Sequence, residues 1–128
     1  MLALGLTEGP LFVAATTGST GAGRSPTAGT HHPQRHGDLY AYNALAHRHA
    51  PEIATLAEAA SGRPADIAFV PHSGSFARGI HATVQAQLAK PLKTAEVIDA
   101  LAGYYKDCPF VRVLDTPPRM KEIGRAHV

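Results

Sequence analysis

The sequence predicts an α+β domain in which helices cover a mixed, largely antiparallel sheet, and three observations lead there. Short apolar runs rich in β-branched residues alternate with two stretches of helical spacing, in the order β-β-α-β-β-α-β. One run, Ile80 to Leu88, repeats apolar residues at every second position, as a strand does when one face meets a core and the other meets water or a partner. The chain has 128 residues, 45% hydrophobic and 17% charged, which suits one domain with one core over residues 1–128.

Leu2 to Leu6 reads as the end of a helix or a disordered start, and Gly9-Pro10 as a turn. Leu11 to Thr17 is an apolar, β-branched run expected to be a buried strand. Residues 18 to 37 carry almost no large apolar side chain, and a loop of that length inside a small domain is usually functional. Leu39 to Leu45 alternates weakly and fits a second strand. Pro51 suits the first turn of a helix whose apolar positions are Ile53, Leu56, Ala57 and Ala60, closed by Ser61-Gly62. Asp66 to His72 is the third strand, followed by a turn at Ser73-Gly74-Ser75. In the alternating strand, His81, Thr83, Gln85 and Gln87 oppose Ile80, Ala82, Val84, Ala86 and Leu88. Thr94 is placed to cap a helix that turns Val97, Leu101 and Tyr104 or Tyr105 inward. A last strand is expected at Phe110 to Leu114, before Pro117-Pro118 and a basic tail.

Composition excludes several classes of function. Twelve Lys and Arg against ten Asp and Glu leave +2, too balanced for a dedicated nucleic-acid binder, and no basic run or aromatic ladder is present. No apolar stretch is long enough to span a bilayer, and no secretory signal pattern follows Met1. One cysteine cannot form an intrachain disulfide. A cytoplasmic protein that engages neither nucleic acid nor membrane is expected.

Three places carry chemistry. Gly18-Ser19-Thr20-Gly21-Ala22-Gly23 follows a strand, but its GxxGxG spacing is not the dinucleotide fingerprint, and no Walker lysine follows. It offers backbone that a ligand can approach closely, or a plain turn. His47-Arg48-His49-Ala50-Pro51-Glu52 is the densest cluster. If extended, it points both imidazoles one way and Arg48 the other, beside a helix N-terminus that favours anions. Glu52 is close enough in sequence to accept a ring N–H from His49 and fix its tautomer, which would suit proton transfer near neutral pH. Structural histidines and a zinc site completed by His72, His81 or His31-His32 compete with that reading, although no known ligand spacing is matched and no metal is assigned. Arg78, at the mouth of the alternating strand, is formed to grip a carboxylate or phosphate, or is a solvated surface cation. Cys108 has no neighbour that would activate it and reads as an incidental thiol.

Taken in order, GSTGAGR at 18–24, HRHAPEI at 47–53 and FVPHSGSFARGIHATV at 69–84 resemble N-acetyl-gamma-glutamyl-phosphate reductase of arginine biosynthesis. The helix ending in Tyr104-Tyr105, with Pro109 to Val113, is similar to a later segment of that family. The resemblance runs from about Leu11 to Glu122. It implies the C-terminal domain of the semialdehyde dehydrogenase and glyceraldehyde-3-phosphate dehydrogenase group, with the NADP-binding Rossmann half and the nucleophilic cysteine outside this chain. Ser75 stands where the family usually has proline, and Phe76 where it usually has methionine. The resemblance further implies His49 as the acid/base partner of the cysteine, with His47 as the alternative and Glu52 orienting. Arg48 and Arg78 would hold the anionic ends of an acyl-phosphate substrate. Ser19, Gly21, Ala22 and Gly23 would lie against the nicotinamide end of NADP. A homo-oligomer is expected, with the polar face of the alternating strand as a pairing surface, and the fragment alone is expected to be inactive. A related acyl-phosphate reductase of lysine biosynthesis and a stand-alone domain that binds a small anion are the competing readings.

Overall fold

The computed structural model describes residues 1–25 and 27–120. Its strands are β1 (Thr7–Thr17), β2 (Tyr40–Ala41), β3 (Ile67–Ser73) and β4 (Ile80–Leu88), hydrogen-bonded in the order β2-β3-β1-β4. β1 runs parallel to β3, while β1 with β4 and β2 with β3 are antiparallel. The helices are α1 (His32–Arg35), α2 (Ala50–Ser61) and α3 (Thr94–Tyr105). This is the mixed α+β architecture the patterning predicts. The parallel pair needs a long connection, and the segment from residue 18 to residue 66 supplies it.

Register defines the faces. Val13, Ala15 and Thr17 of β1 lie opposite Phe69, Pro71 and Ser73 of β3 and opposite Val84, Ala82 and Ile80 of β4. On this face Ala15 and Phe69 are the buried apolar residues, because α2 packs beside β3 and the 42–49 segment folds back over Phe69. The register of β1 with β4 slips between Glu8 and Phe12, where Gly9 and Pro10, expected as a turn, lie within the strand at an irregularity in its pairing. A proline is tolerated in a sheet at such an irregularity.

α2 begins with Pro51 in its first turn and ends at Gly62, whose φ of 66° suits the left-handed cap. Its inward stripe is Ile53, Ala54, Ala57 and Ser61, whereas Leu56, expected inside, is exposed. α3 turns Val97, Leu101 and Tyr105 inward and leaves Tyr104 out. Its first turn is closed by the Lys93 N–H donating to Glu96 Oε2 at 2.7 Å rather than by Thr94.

Four expectations require correction. Leu39 to Leu45 is a strand only at Tyr40–Ala41, since Asn43 and Leu45 adopt left-handed φ values of 44° and 59° that end extended backbone. Residues 1–6 form turns, with Gly5 N–H bonded to the Leu2 carbonyl. Phe110 to Leu114 forms no strand, and Phe110 is fully exposed; the Val111 N–H closes a turn on the Cys108 carbonyl instead of joining a sheet edge. β4 is an edge strand with little core over it: Val84 is 55% exposed, and of its apolar positions only Ala86 and Leu88 are half-buried. The basic tail falls outside the described residues.

Candidate functional site

A cavity of about 500 Å³ sits on the Ala15–Phe69 face, at the end of the sheet where β1 and β3 terminate. Ala15, Thr17, Phe69, Pro71 and Ser73 supply its sheet side. One flank is the glycine loop, through Gly18, Gly21 and Ala22, with Gly29 and Thr30 further along the chain. The other holds Tyr42, His47, Arg48 and His49. Two segments far apart in sequence thus converge on one concave wall.

The histidine cluster is a turn rather than a strand. His49 has φ −83° and ψ −12°, and its carbonyl accepts the Ile53 N–H at 2.9 Å, which makes it the cap of α2. This turn stacks the two imidazoles edge to face, with centroids 4.8 Å apart, and brings Arg48 to the same cavity instead of the opposite side. His47 is packed among Tyr42, Phe69 and His49, with centroids at 5.5, 5.6 and 4.8 Å. The His49 backbone N–H donates to His47 Nδ1 at 3.2 Å, so the neutral ring carries its proton on Nε2. Desolvation first, then the adjoining His49 and Arg48, hold His47 below the usual imidazole pKa. Neither ring nitrogen of His49 has a hydrogen-bond partner among the described residues, and the ring is exposed at the cavity. The two imidazoles therefore differ in kind: His47 is packed and hydrogen-bonded through Nδ1, whereas the His49 ring is exposed and unbonded among the described residues.

Glu52 does not fix His49. It is exposed in the first turn of α2, and among the described residues no hydrogen bond joins it to that ring, because the capping conformation turns His49 onto His47. Arg78 is exposed in the loop before β4 and does not line the cavity.

The glycine loop is tied down from behind. The Gly18 N–H donates to the Gly79 carbonyl at 3.0 Å, Ser19 N–H to Phe76 at 3.0 Å, and Thr20 N–H to Ala77 at 2.9 Å. Gly18 is required here, since a Cβ would lie 2.7 Å from the Ala77 carbonyl group. Gly21 and Gly23 donate to the Gly18 and Thr20 carbonyls, both at 3.3 Å. These N–H groups are therefore not open to a ligand, contrary to the expectation for this loop. Ser19 Oγ instead bonds His32 Nδ1 at 3.0 Å, and Gly23 does not reach the cavity, whereas Gly21 and Ala22 do.

Sequence reasoning passed over Arg35. This side chain is 4% exposed and lines the cavity. Its Nε donates to Ser73 Oγ at 2.6 Å and its Nη2 to the Thr17 carbonyl at 2.7 Å. Pro33 at the start of α1 was the available signal, because proline in the first turn marks a helix start inside what reads as a loop. Nothing local in the sequence says that the last residue of so short a helix turns inward.

Cys108 is exposed, beyond α3, and is not part of the cavity. Among the described residues no group of three or more His, Cys, Asp or Glu is arranged to hold a metal ion, and no helix is long and apolar enough to cross a membrane.

The mixed sheet thus brings a helix-capping imidazole and a buried guanidinium to one open cavity. The chain belongs to the family described as semialdehyde dehydrogenase, dimerisation domain, which matches residues 1–128. Among individual proteins it is similar to the N-acetyl-gamma-glutamyl-phosphate reductase of Acidithiobacillus ferrooxidans, at 39% identity over 109 residues, 85% of this chain and 32% of that protein. The reductase of the same description from Desulforudis audaxviator is 39% identical over 121 residues, 94% of this chain and 34% of the relative. That of Wolinella succinogenes is 33% identical over 120 residues, 94% of this chain and 35% of its own. The chain spans about a third of the length of these relatives.

Proposed function

We propose that this chain is the acid/base and substrate-holding part of an N-acetyl-gamma-glutamyl-phosphate reductase, a cytoplasmic homo-oligomeric enzyme of arginine biosynthesis. The observation that carries the reading is the shared wall on which His49, His47, Arg48 and Arg35 meet. The names of the similar proteins supply the reaction class.

In this reading a cysteine thiolate from the rest of the enzyme attacks the acyl carbon. The C–S bond forms, the C–O bond to phosphate breaks, and inorganic phosphate leaves. A thioester remains, dividing one displacement into two easier steps. Cys108 does not take that part, since it is exposed and remote from the cavity. His49 removes the thiol proton and holds it on an imidazole nitrogen, for which an exposed, unbonded ring is suited. His47, with Nδ1 occupied, presents Nε2–H as a neutral hydrogen-bond donor. Arg48 attracts the phosphoryl group at the mouth.

NADP fits the glycine-loop flank in a limited way. Gly21 and Ala22 present almost no side chain, which suits the flat nicotinamide end, and the internally bonded amides argue against a grip on its phosphates. When bound, the cofactor supplies the hydride that converts the thioester to the semialdehyde.

The deciding experiment assays the protein expressed from its whole reading frame with N-acetyl-gamma-glutamyl phosphate and with the corresponding carrier-linked acyl phosphate of the lysine route. Reduction of the first at a kcat/KM at least about tenfold higher supports the reading. Preference for the second, or reduction of neither, sinks it.

A further inference from the structure

The geometry points to Arg35 as the floor of a carboxylate subsite that receives the non-reacting end of the substrate. A guanidinium has five N–H donors in a rigid plane. In Arg35, Nε–H and one Nη2–H are taken by Ser73 Oγ and the Thr17 carbonyl. Both Nη1–H groups and the second Nη2–H remain, and one from each of the two nitrogens forms the end-on edge that matches the two oxygens of a carboxylate. Arg35 has no ion pair among the described residues, although it is 4% exposed. An uncompensated buried charge is costly unless an anion joins it. Arg35 lines the cavity, and the unused edge is assigned to that space.

Position selects the anion. Arg35 is anchored at Ser73, and His47 packs on Phe69, four residues away on the same face of β3. Four residues of strand cover about 13 Å. A five-carbon acyl chain in extended form, with a hydrogen-bonding contact at each end, spans a comparable length. With the acyl carbon near the imidazoles and Arg48 at the phosphoryl group, the α-carboxylate falls to Arg35. Ser73 and the Thr17 carbonyl act as positioning groups that orient the fork.

This subsite rests on the acyl-phosphate reading, so its test measures binding without turnover. By calorimetry, the protein from the whole reading frame is titrated with N-acetylglutamate, with its α-amide, and with inorganic phosphate. The wild type should prefer the α-carboxylate ligand over the α-amide by roughly 10- to 100-fold. Arg35→Lys should reduce that preference to under about threefold while α-amide and phosphate affinities stay within about twofold, because Lys keeps charge but loses the fork. A preference absent from the wild type, or one that survives Arg35→Lys, overturns the proposal. So does an equal weakening of both organic ligands, or a loss confined to phosphate. If Arg35→Lys fails to fold, Ser73→Ala carries the test: a preference lowered several-fold is expected, and an unchanged one overturns the assignment. A protein that keeps the preference yet reduces neither acyl phosphate retains the subsite and loses only the reaction.

Discussion

Two regions of the sheet differ in how their residues are occupied. At the end where β1 and β3 terminate, Arg35, His47 and the glycine loop are each held by named hydrogen bonds, and all three border one cavity. Along β4 beyond that cavity, the alternating strand presents Val84 to solvent, and Phe110 beyond α3 touches nothing that buries it. One side is organised for chemistry within this chain. The other has the surface of a core with no covering layer. That difference teaches that a site can be preorganised in a domain whose hydrophobic surface is far from satisfied.

The largest expected effect lies on the organised side. His49→Ala in the full-length reductase should lower kcat by about 10²–10⁴-fold with a smaller change in KM. Steady-state kinetics that show a fall below about threefold would remove this imidazole from proton transfer and break the contrast drawn with His47.

On the bare side, Val84→Asp tests whether another layer covers β4 in the assembled enzyme. The 128-residue chain should change by no more than about 0.5 kcal/mol, as for other exposed positions. The whole protein should lose about 2 kcal/mol or more if the face is covered there. Urea melts of both lengths give the comparison, and equal small changes in the two would show that β4 remains bare.

Gly18→Ala places a Cβ against the Ala77 carbonyl backbone, which cannot move as a side-chain tip can. A loss of about 1–3 kcal/mol is expected by denaturant unfolding, the usual cost of overpacking.

The smallest effects concern protonation and the thiol. His47 titrates below the ordinary imidazole value of about 6.5, chiefly through desolvation. Its unfolded form then binds more protons in the window between the lowered value and the ordinary one. Stability is full above that window and falls as pH drops through it. NMR titration of the ring should show the lowered midpoint, and His47→Gln should flatten the loss of stability as pH drops below the ordinary imidazole value. Cys108→Ser should leave kcat/KM within about twofold, since the thiol is exposed and outside the cavity.

Much of the fold was legible because its signals are local. Pro51 and Gly62 bracket α2, and the runs expected at Leu11–Thr17, Asp66–His72 and Ile80–Leu88 are strands, the second shifted by one residue to Ile67–Ser73. The strand expected at Phe110 to Leu114 was not legible in this sense, since a β-prone run becomes a strand only when an edge is available to pair with it. Likewise, alternation in β4 shows which residues share a face but not whether anything covers it.

The site divides in the same way. The imidazole pair announced itself by its density in the sequence. Whether the two rings would act alike did not, since the His49 N–H bond to His47 Nδ1 depends on a turn that the extended reading missed. Arg78 was conspicuous and stands outside the cavity; Arg35 was inconspicuous and lies at its floor. Composition and periodicity therefore determined the class of fold, its main elements and the residue types able to handle an anion. Only the tertiary structure decided which cation is buried, which imidazole has its pKa lowered and which apolar face is left open. Local spacing controls backbone conformation, whereas burial and charge pairing depend on segments brought together from distant parts of the chain.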